Sequence, residues 1–473
     1  MGRKPIYRRV HEQLRYQILS GEWPIGSALP PERKLADQLG VSRNSVVRAY
    51  AELEEEGLIL CRTGSGRYVQ PLQPVSSLTR LDWRESLDHH LYPSPSHMAE
   101  LLSFSGPQSK INFAHGDGGR HTLASSGFSE YVCKAAGCID AYSFLPVDGH
   151  PLLREWIVSW MGLDQVSSAE QVVVTSGSQE ALYLVASLLA KPGDTVAVEM
   201  PTYFGALQLF QSLGLSIIPV PIDREGMRTD VLEGILARYR PRFVYTVPTF
   251  HNPTGYTLSL SRRRHLVSLS ETHGFPIVED DAYRHLHLSS PPPVPLKALD
   301  QTGSVIYMNT FSKLLFPGQR LGWIAASRQL VRMITRMKEL SISTNTLGQM
   351  ALYDFVRDGC LPPHLERVRT MYDKQAALME RHLASLSALE LAYEKPAGGF
   401  YFWISLPEGL DVREVLQDCL SQGVSFACGD MFLTREAVQP FIRLCFTHET
   451  AGQIDAGMAI LASVLHKRKE SLR

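Results

Sequence analysis

The chain has 473 residues, of which 44% are apolar and 20% are charged, and its formal net charge is −1. This composition is typical of a globular protein with two or three domains, and it excludes a disordered or fibrous chain. The near-neutral total hides a basic N-terminal segment, because residues 1–50 hold nine Lys and Arg against four Asp and Glu. This asymmetry predicts a polyanionic partner for the N-terminal segment only.

Cysteine spacing and hydropathy indicate where the protein is located and whether it holds disulfides or metal ions. The seven cysteines form no Cys-x-x-Cys pair and their number is odd. We therefore expect neither a disulfide framework nor a zinc module, and no bound metal. The first residues lack the apolar segment of a signal peptide, and no apolar run reaches the ~18–20 residues of a membrane span. These features predict a cytoplasmic protein with no membrane partner.

Residues 5–70 are predicted to form three helices and a β-hairpin. Apolar residues recur every four positions in the first helix, and Gly40 ends a short second helix. Ser42 is a good N-cap for the third helix. Two short helices joined by a turn that contains glycine are the signature of a helix-turn-helix. Two β-rich runs around residues 63–66 predict the hairpin, or wing.

The predicted third helix begins with residue types that read DNA bases. In a helix-turn-helix, the first residues of this helix reach base edges, while neighbouring side chains contact phosphates. Arginine can bind guanine, and asparagine can bind adenine, through two hydrogen bonds. The candidate DNA-contacting residues are Arg33, Ser42, Arg43, Asn44, Ser45, Arg48, Arg62 and Arg67. The alternative is a small helical domain with solvated arginines.

The full N-terminal pattern is more specific than its charge. It includes Leu29-Pro-Pro-Glu-Arg-x-Leu-Ala-x-x-Leu-Gly-Val-Ser-Arg43, followed by Glu56-Gly-Leu-Ile59. This pattern resembles the winged helix of GntR-type bacterial transcription regulators over residues 1–70. The resemblance implies that these residues bind a double-stranded DNA operator.

Residues 71–110 are predicted to be a linker. Five prolines and eight serines occur among these 40 residues. Such a composition cannot supply a hydrophobic core.

From residue 111 to residue 473, β-rich runs alternate with helical stretches. The runs are continuously apolar, which predicts a parallel sheet that is buried on both faces. The strand candidates are 172–175, 195–199, 217–221, 243–247, 276–279, 304–308 and 321–325. After about residue 360, longer helices and a few strands predict a smaller α+β lobe.

Several short polar motifs follow these predicted strands, at the sheet edge where ligands of α/β proteins bind. Thr175-Ser-Gly-Ser-Gln179 lies between a strand and a helix, and its backbone N–H groups suit a phosphate. His251-Asn-Pro-Thr-Gly255 and Glu279-Asp-Asp-Ala-Tyr283 follow two apolar strands, and Lys313 follows another. Taken singly, each motif has an ordinary explanation, such as a turn, a core aromatic residue or a solvated lysine.

Taken together, these residues meet the chemical needs of pyridoxal phosphate. The cofactor requires an amine for a Schiff base, an anion at the ring nitrogen, donors and a cation at the phosphate, donors at the ring oxygen and a stacking partner. The catalytic candidate Lys313 supplies the amine, and Asp280 supplies the anion. The candidates at the phosphate are Ser178, Gln179, Thr310, Ser312 and Arg320. Asn252 and Tyr283 are the candidate donors at the ring oxygen, and Tyr203 is the candidate stacking partner.

The order and spacing of these motifs resemble the fold type I aminotransferases over residues 111–470. The resemblance selects Asp280 over Asp281, because the family's aspartate precedes a tyrosine by three residues. It implies that Arg443 binds a ligand carboxylate, and that Tyr142 reaches the phosphate of the partner subunit in a homodimer. Residues 111–121 depart from the family pattern, because they lack its proline and are rich in glycine and histidine.

A winged helix, a linker and an aminotransferase-like domain in this order resemble the MocR (GabR-type) branch of the GntR regulators. The resemblance implies a homodimeric transcription regulator that uses pyridoxal phosphate to sense an amino acid or amine effector. Two alternatives stay open. The chain could be an active aminotransferase with an added DNA-binding domain, because every residue needed for transamination is present. It could also be a scaffold whose site has decayed. We favour regulation, because a winged helix has no use in a metabolic enzyme.

Overall fold

The protein is described here by a computed structural model. The described residues are 6–20, 22–62, 65–70, 111–119, 122, 126–138, 140, 143–341, 343–434 and 440–471. They fall into two compact units, divided between residues 89 and 90, which we call the head and the body. The predicted linker at 71–110 and the predicted phosphate ligand Tyr142 lie outside the described residues.

The head consists of three helices and one hairpin, as the sequence predicts. Its elements are α1 (Ile6–Leu19), α2 (Glu32–Leu39), α3 (Arg43–Glu55), β1 (Ile59–Arg62) and β2 (Gly66–Val69). The two strands pair antiparallel, with Ile59 opposite Val69 and Arg62 opposite Gly66. Apolar side chains from all three helices and the hairpin form one core.

Local chemistry sets the ends of the head helices. Gly40 follows α2 at a φ of +64°, a left-handed conformation that glycine adopts without steric cost. The Ser42 hydroxyl accepts a hydrogen bond from the backbone N–H of Ser45 at 3.3 Å and so caps α3. On α3, Val46, Tyr50 and Leu53 are buried. The predicted helix-turn-helix geometry is therefore present in the head.

The body begins with β3 (Ile111–Asn112) and contains an eight-stranded sheet in the order β4-β11-β10-β9-β8-β5-β6-β7. The strands are β4 (Val172–Thr175), β5 (Thr195–Met200), β6 (Ser216–Asp223), β7 (Gly226–Met227), β8 (Val244–Thr246), β9 (Ile277–Asp280), β10 (Val305–Thr310) and β11 (Gly322–Ala325). All seven strands predicted from the sequence lie in this sheet.

The prediction of a parallel sheet is wrong for β11, which pairs antiparallel with both β10 and β4. The connection from β10 to β11 spans only residues 311–321. Parallel neighbours require a crossover of a dozen or more residues, so this short connection favours the antiparallel arrangement. The short strand β7 also pairs antiparallel, at the sheet edge. The strands β6, β5, β8, β9 and β10 are parallel.

Helices accompany the large sheet. They are α4 (Phe128–Ala136), α5 (Pro151–Met161), α6 (Ser178–Leu189), α7 (Phe204–Ser212), α8 (Thr229–Leu236), α9 (Leu260–His273), α10 (Leu296–Leu299), α11 (Phe311–Leu314), α12 (Arg328–Lys338) and α13 (Thr346–Arg357). The strand interiors of β4, β5, β8, β9, β10 and β11 are buried. The described part of the chain contains no helix that is both long and apolar enough to cross a membrane.

A smaller lobe follows α13. It contains α14 (Leu361–Ser385), β12 (Ala392–Tyr393), β13 (Tyr401–Ser405), α15 (Val412–Ser421), β14 (Val424–Ser425), β15 (Ala427–Cys428), β16 (Phe441–Cys445) and α16 (Ala451–Ser471). The strands form an antiparallel sheet in the order β12-β13-β16-β15. In addition, β14 pairs in parallel with β3, so the first body residues belong to this lobe.

Candidate functional site

One cavity of about 940 Å³ lies at the carboxyl ends of β4, β5, β8, β9 and β10, against the small lobe. Every sequence-predicted ligand residue of the body that the structure describes lines this cavity. These residues are Ser178, Gln179, Tyr203, Asn252, Asp280, Tyr283, Thr310, Ser312, Lys313, Arg320 and Arg443. The motifs lie far apart in the chain, and the parallel strands bring them to one edge.

One end of the cavity suits a phosphate. Helix α6 begins at Ser178, so its first N–H groups and its dipole face this region. The guanidinium of Arg320 donates to the carbonyl of Ser176 at 2.9 Å and lies 3.4 Å from the Ser312 hydroxyl. Gly177 has a φ of +93°, and a Cβ there would lie 2.8 Å from Arg320 Nη2. Glycine at 177 therefore lets the backbone approach the cation closely.

Asp280 supplies a buried carboxylate. Its Oδ2 accepts a hydrogen bond from the Tyr245 hydroxyl at 3.0 Å, whereas its Oδ1 has no hydrogen-bond partner among the described residues. Burial raises the pKa of Asp280 to about 6. An unpaired, buried carboxylate oxygen on a cavity wall fits a cationic ring nitrogen. The neighbouring Asp281 does not line the cavity and lies 3.7 Å from Arg284.

Lys313 projects from α11 into the same cavity and is half-buried. Its Nζ donates a hydrogen bond to the carbonyl of Gly116 at 2.5 Å. Burial lowers the pKa of Lys313, which favours the neutral amine. A neutral amine is the form that attacks a carbonyl carbon, so this environment suits covalent attachment of an aldehyde.

Arg443 is 1% exposed and lies at the small-lobe side of the cavity. Its guanidinium donates to Asn252 Oδ1 at 2.9 Å and to the carbonyl of Ala114 at 2.5 Å. The ring of Tyr401 lies 4.2 Å from the guanidinium carbon. Arg443 Nε has no hydrogen-bond partner among the described residues. A buried guanidinium that faces a cavity suits a ligand carboxylate.

The remaining predicted residues form a tyrosine-rich wall. The Tyr203 hydroxyl donates to Gln179 Oε1 at 3.3 Å, and the hydroxyls of Tyr283 and Tyr401 lie 3.1 Å apart. Burial raises the pKa of Tyr203 to about 12, so its hydroxyl stays protonated. Aromatic faces with polar edges suit a flat heterocycle.

Sequence reasoning missed four residues of this site: Tyr245, Tyr401, His115 and Asp117. Tyr245 lies within an apolar strand and gives no local signal. Tyr401 lies in a run of aromatic and β-branched residues, and such a run is typical of a core strand. His115 and Asp117 lie in the segment that departs from the family pattern, and that departure was the available signal.

In the head, the predicted DNA-contacting residues fall into two groups. Arg33, Ser42, Arg43, Asn44, Arg48 and Arg62 are exposed. Ser45 and Arg67 are half-buried, and the Ser45 hydroxyl lies 2.9 Å from the Ser42 hydroxyl. Arg67 forms ion pairs with Glu32 at 2.8 Å and Glu54 at 3.1 Å, which connects the wing to α2 and α3. Arg43 pairs with the same Glu32 at 3.0 Å.

Two family models match the chain. The model for bacterial regulatory proteins of the gntR family matches residues 6–69, and the model for aminotransferase class I and II matches residues 136–461. The first match covers the head, and the second covers most of the body. A GntR helix-turn-helix implies DNA binding, and an aminotransferase-like domain implies pyridoxal phosphate and an amino compound as ligands.

Relatives that are described as regulators match over most of their length. The uncharacterized HTH-type transcriptional regulator YdcR of Escherichia coli is 33% identical over 449 residues, which cover 92% of this chain and 94% of that one. The probable rhizopine catabolism regulatory protein MocR of Rhizobium meliloti is 30% identical over 432 residues, which cover 89% and 86%.

A solved aminotransferase matches the body. The structure of LysN, an alpha-aminoadipate aminotransferase from Thermus thermophilus complexed with N-(5'-phosphopyridoxyl)-L-leucine, superposes with a TM-score of 0.76 at 30% identity. The match covers 82% of this chain and all of that one. The fold is therefore a GntR winged helix joined to a fold type I aminotransferase domain. The chain belongs to the GntR family of transcription regulators, in the MocR branch, whose second domain is an aminotransferase class I and II domain.

Proposed function

We propose that the body binds pyridoxal phosphate through Lys313 and uses it to sense an amino acid or amine, and that the sensed compound changes how the head binds operator DNA. One observation carries this proposal: all eleven described residues with a predicted ligand role line a single cavity. When bound, pyridoxal phosphate supplies an aldehyde that condenses with amines and a ring that withdraws electrons.

Each part of the site has a role in this proposal. Lys313 provides the amine that holds the cofactor covalently. Asp280 holds the proton on the ring nitrogen, and Tyr245 orients Asp280 through their hydrogen bond. The first N–H groups of α6, together with Ser178, Gln179, Thr310, Ser312 and Arg320, bind the phosphate. Asn252 and Tyr283 donate to the ring oxygen, and Tyr203 stacks on the ring.

Arg443 determines the class of effector. Its buried guanidinium faces the cavity, so a compound with both an amine and a carboxylate can reach Lys313 and Arg443 together. We propose that the working unit is a homodimer, in which Tyr142 contributes to the partner's site. The head binds operator DNA through the N-terminal residues of α3, and the wing contacts the phosphate backbone through Arg62.

A spectroscopic titration tests the sensing function. The cofactor-loaded full chain is mixed with a pool of amino acids and amines while its visible absorption is recorded, and DNA affinity is measured with each active compound. We expect one compound class to change the spectrum once and then stop, with a parallel change in DNA affinity. The variant Arg443→Gln is expected to lose the response to carboxylate-bearing compounds only.

The same titration distinguishes regulation from transamination. The aminotransferase alternative predicts repeated turnover when a keto acid is added, because Lys313 would then also move the Cα proton. We propose that the protein is not a working enzyme, although a single half-reaction is compatible with sensing. Multiple turnover without any effect on DNA binding would contradict the proposal.

A further inference from the structure

Three side chains from distant parts of the chain converge beside the cavity. His448 Nδ1 lies 2.5 Å from Asp117 Oδ1, and His115 Nδ1 lies 3.5 Å from Asp117 Oδ2. The two imidazole centroids are 4.7 Å apart. The side chains are 17–24% exposed, so they lie in a partly closed recess. The pyridoxal phosphate role proposed above uses none of the three.

We propose that His115, Asp117 and His448 bind a first-row transition-metal dication such as Zn²⁺. Two imidazoles and one carboxylate are the donor set that zinc and its neighbours prefer, whereas magnesium and calcium prefer oxygen ligands alone. This proposal departs from the absence of metal expected from the sequence. That expectation considered cysteine spacing only, and His448 is 331 residues from Asp117.

The donor atoms already lie close to a coordinating arrangement. One atom from each side chain lies within 4.8 Å of the other two. In a tetrahedral zinc site, donors about 2.1 Å from the ion lie about 3.4 Å apart, so the widest separation must shorten by up to about 1.4 Å. The His448–Asp117 contact must lengthen by about 0.9 Å, because the ion replaces that hydrogen bond. His115 and Asp117 also line the cavity. A fourth coordination position can therefore open toward the cavity, as in zinc sites that accept an exogenous ligand.

The two segments that carry the ligands are fixed to each other. The Thr447 hydroxyl donates to the carbonyl of Asp117 at 2.7 Å, and Glu449 Oε1 accepts from the backbone N–H of Asn112 at 2.6 Å. His448 lies between these two contacts. A site held by such supporting hydrogen bonds loses little entropy when it binds an ion.

The loop between residues 112 and 119 is built around the two ligands it carries. Asn112 Oδ1 accepts from the N–H groups of Ala114 and His115 at 2.9 and 3.1 Å. The N–H of Gly119 donates to Asp117 Oδ1 at 2.9 Å. A Cβ at Gly116 would overlap the hydroxyl of Tyr401 on β13, and a Cβ at Gly118 would overlap that of Tyr372 on α14. Glycine at these two positions therefore lets the loop pack closely against the tyrosines, in the conformation that places His115 and Asp117 next to His448.

The proposed ion would also be linked to the lysine of the cavity. Gly116 lies between His115 and Asp117, and its carbonyl accepts the hydrogen bond from Lys313 Nζ. An ion that fixes both flanking side chains also fixes this carbonyl. Metal occupancy is thus connected to Lys313 through one backbone hydrogen bond, although metal binding itself does not depend on pyridoxal phosphate.

Equilibrium dialysis of the full chain against limiting Zn²⁺ tests the proposal, with metal content measured by mass spectrometry. Chelator-treated protein is used both with and without cofactor. The variants are His115→Gln, Asp117→Asn and His448→Gln, which keep the side-chain size. The matched control is His382→Gln, because His382 also pairs with an aspartate, Asp455, at 2.7 Å, but this pair belongs to no three-residue ligand cluster among the described residues. Thermal melting verifies that each variant is folded.

We expect one zinc ion per wild-type and control chain, and at least about tenfold weaker binding in each of the three site variants. Replacement by Co²⁺ should give visible ligand-field bands in the wild type that folded Asp117→Asn lacks. Zinc binding that persists unchanged in the folded site variants would overturn the proposal, as would no zinc binding in the wild type. An amino-compound affinity that falls in these variants without any zinc uptake would also overturn it, in favour of direct ligand contact.

Discussion

The substitution Asp280→Asn is expected to stabilise the cofactor-free protein and to weaken its binding of pyridoxal phosphate. Asp280 is 6% exposed, and one of its carboxylate oxygens has no hydrogen-bond partner among the described residues. An ionised carboxylate in this environment is costly to the folded state. Asparagine keeps the shape of the side chain and can still accept the hydrogen bond from Tyr245, but it carries no charge.

The magnitude follows from the pKa. Burial raises the pKa of Asp280 from 3.8 to about 6, which corresponds to about 3 kcal/mol of lost stability once the group is ionised. The introduced amide places an N–H donor at the partnerless position, which costs about 1 kcal/mol. The net stabilisation is therefore about 2 kcal/mol. Loss of the charged partner of the ring nitrogen costs cofactor binding about 1.5–3 kcal/mol, which is roughly 10- to 150-fold in affinity.

The pH dependence has a definite sign. Below about pH 4, Asp280 is protonated in both the folded and the unfolded states, so the variant and the wild type should not differ through this charge. Between about pH 4 and pH 6, the unfolded state releases the proton first, and the wild type loses stability as pH rises. Above about pH 6 the difference is constant. Asparagine does not titrate and shows none of this loss.

Calorimetry of the cofactor-free proteins at several pH values measures the stability, and titration with pyridoxal phosphate measures the affinity. The matched control is Asp281→Asn, because Asp281 is buried next to Asp280 but pairs with Arg284 and does not line the cavity. This control is expected to leave cofactor affinity unchanged. If Asp280→Asn melts below the wild type at pH 8 and binds the cofactor equally well, both the burial argument and the assigned role are wrong.

Three further predictions address Lys313 and the head. Lys313→Ala should abolish the borohydride-trapped cofactor adduct while the fold persists, and an adduct that survives in this variant would show that Lys313 does not hold the cofactor. Lys338→Met, which replaces a buried lysine outside the cavity, should retain the adduct. Arg43→Ala should weaken binding to DNA selected by the wild type by about 1–3 kcal/mol, measured by fluorescence anisotropy, and should relax base choice. Unchanged affinity would show that α3 is not the recognition helix. Ser42→Ala should destabilise the head by about 1 kcal/mol in thermal melting, and Ser42→Gly by only a few tenths; equal melting of all three proteins would exclude a capping role.

Six of the seven predicted strands have buried interiors, which explains their continuous apolar runs. The expected burial on both faces is wrong for β6, of which only Val220 is buried. Strand direction was not predictable in the same way. Residues 321–325 have the same apolar character whether their strand runs parallel or antiparallel, so periodicity says nothing about direction. The short connection from β10 was the usable signal, because it is too short for a crossover.

The convergence of the predicted ligand residues on one cavity was predictable because most of them lie at or after the ends of buried strands, and parallel strands end at one edge. Tyr245 was not predictable, because its hydroxyl acquires a role only through Asp280 on the adjacent strand. His448 and Asp117 meet through the pairing of β3 with β14 and the end of β16, which no local pattern encodes. Arg67 was predicted as a DNA contact, and its two ion pairs give it an additional structural role.

The contacts of Arg443 connect the proposed ligand site to both lobes of the body. Asn252 follows β8 of the large sheet, whereas Arg443 lies on β16 of the small lobe, and the 2.9 Å hydrogen bond between them crosses the boundary of the two lobes. The guanidinium has five N–H donors, of which this bond and the bond to the carbonyl of Ala114 use two. Its Nε has no hydrogen-bond partner among the described residues, so a carboxylate can bind the remaining donors while both bonds persist. A ligand carboxylate on Arg443 is therefore attached to a side chain that already connects the two lobes, and a ligand shifts their arrangement only by its difference in affinity for the two arrangements.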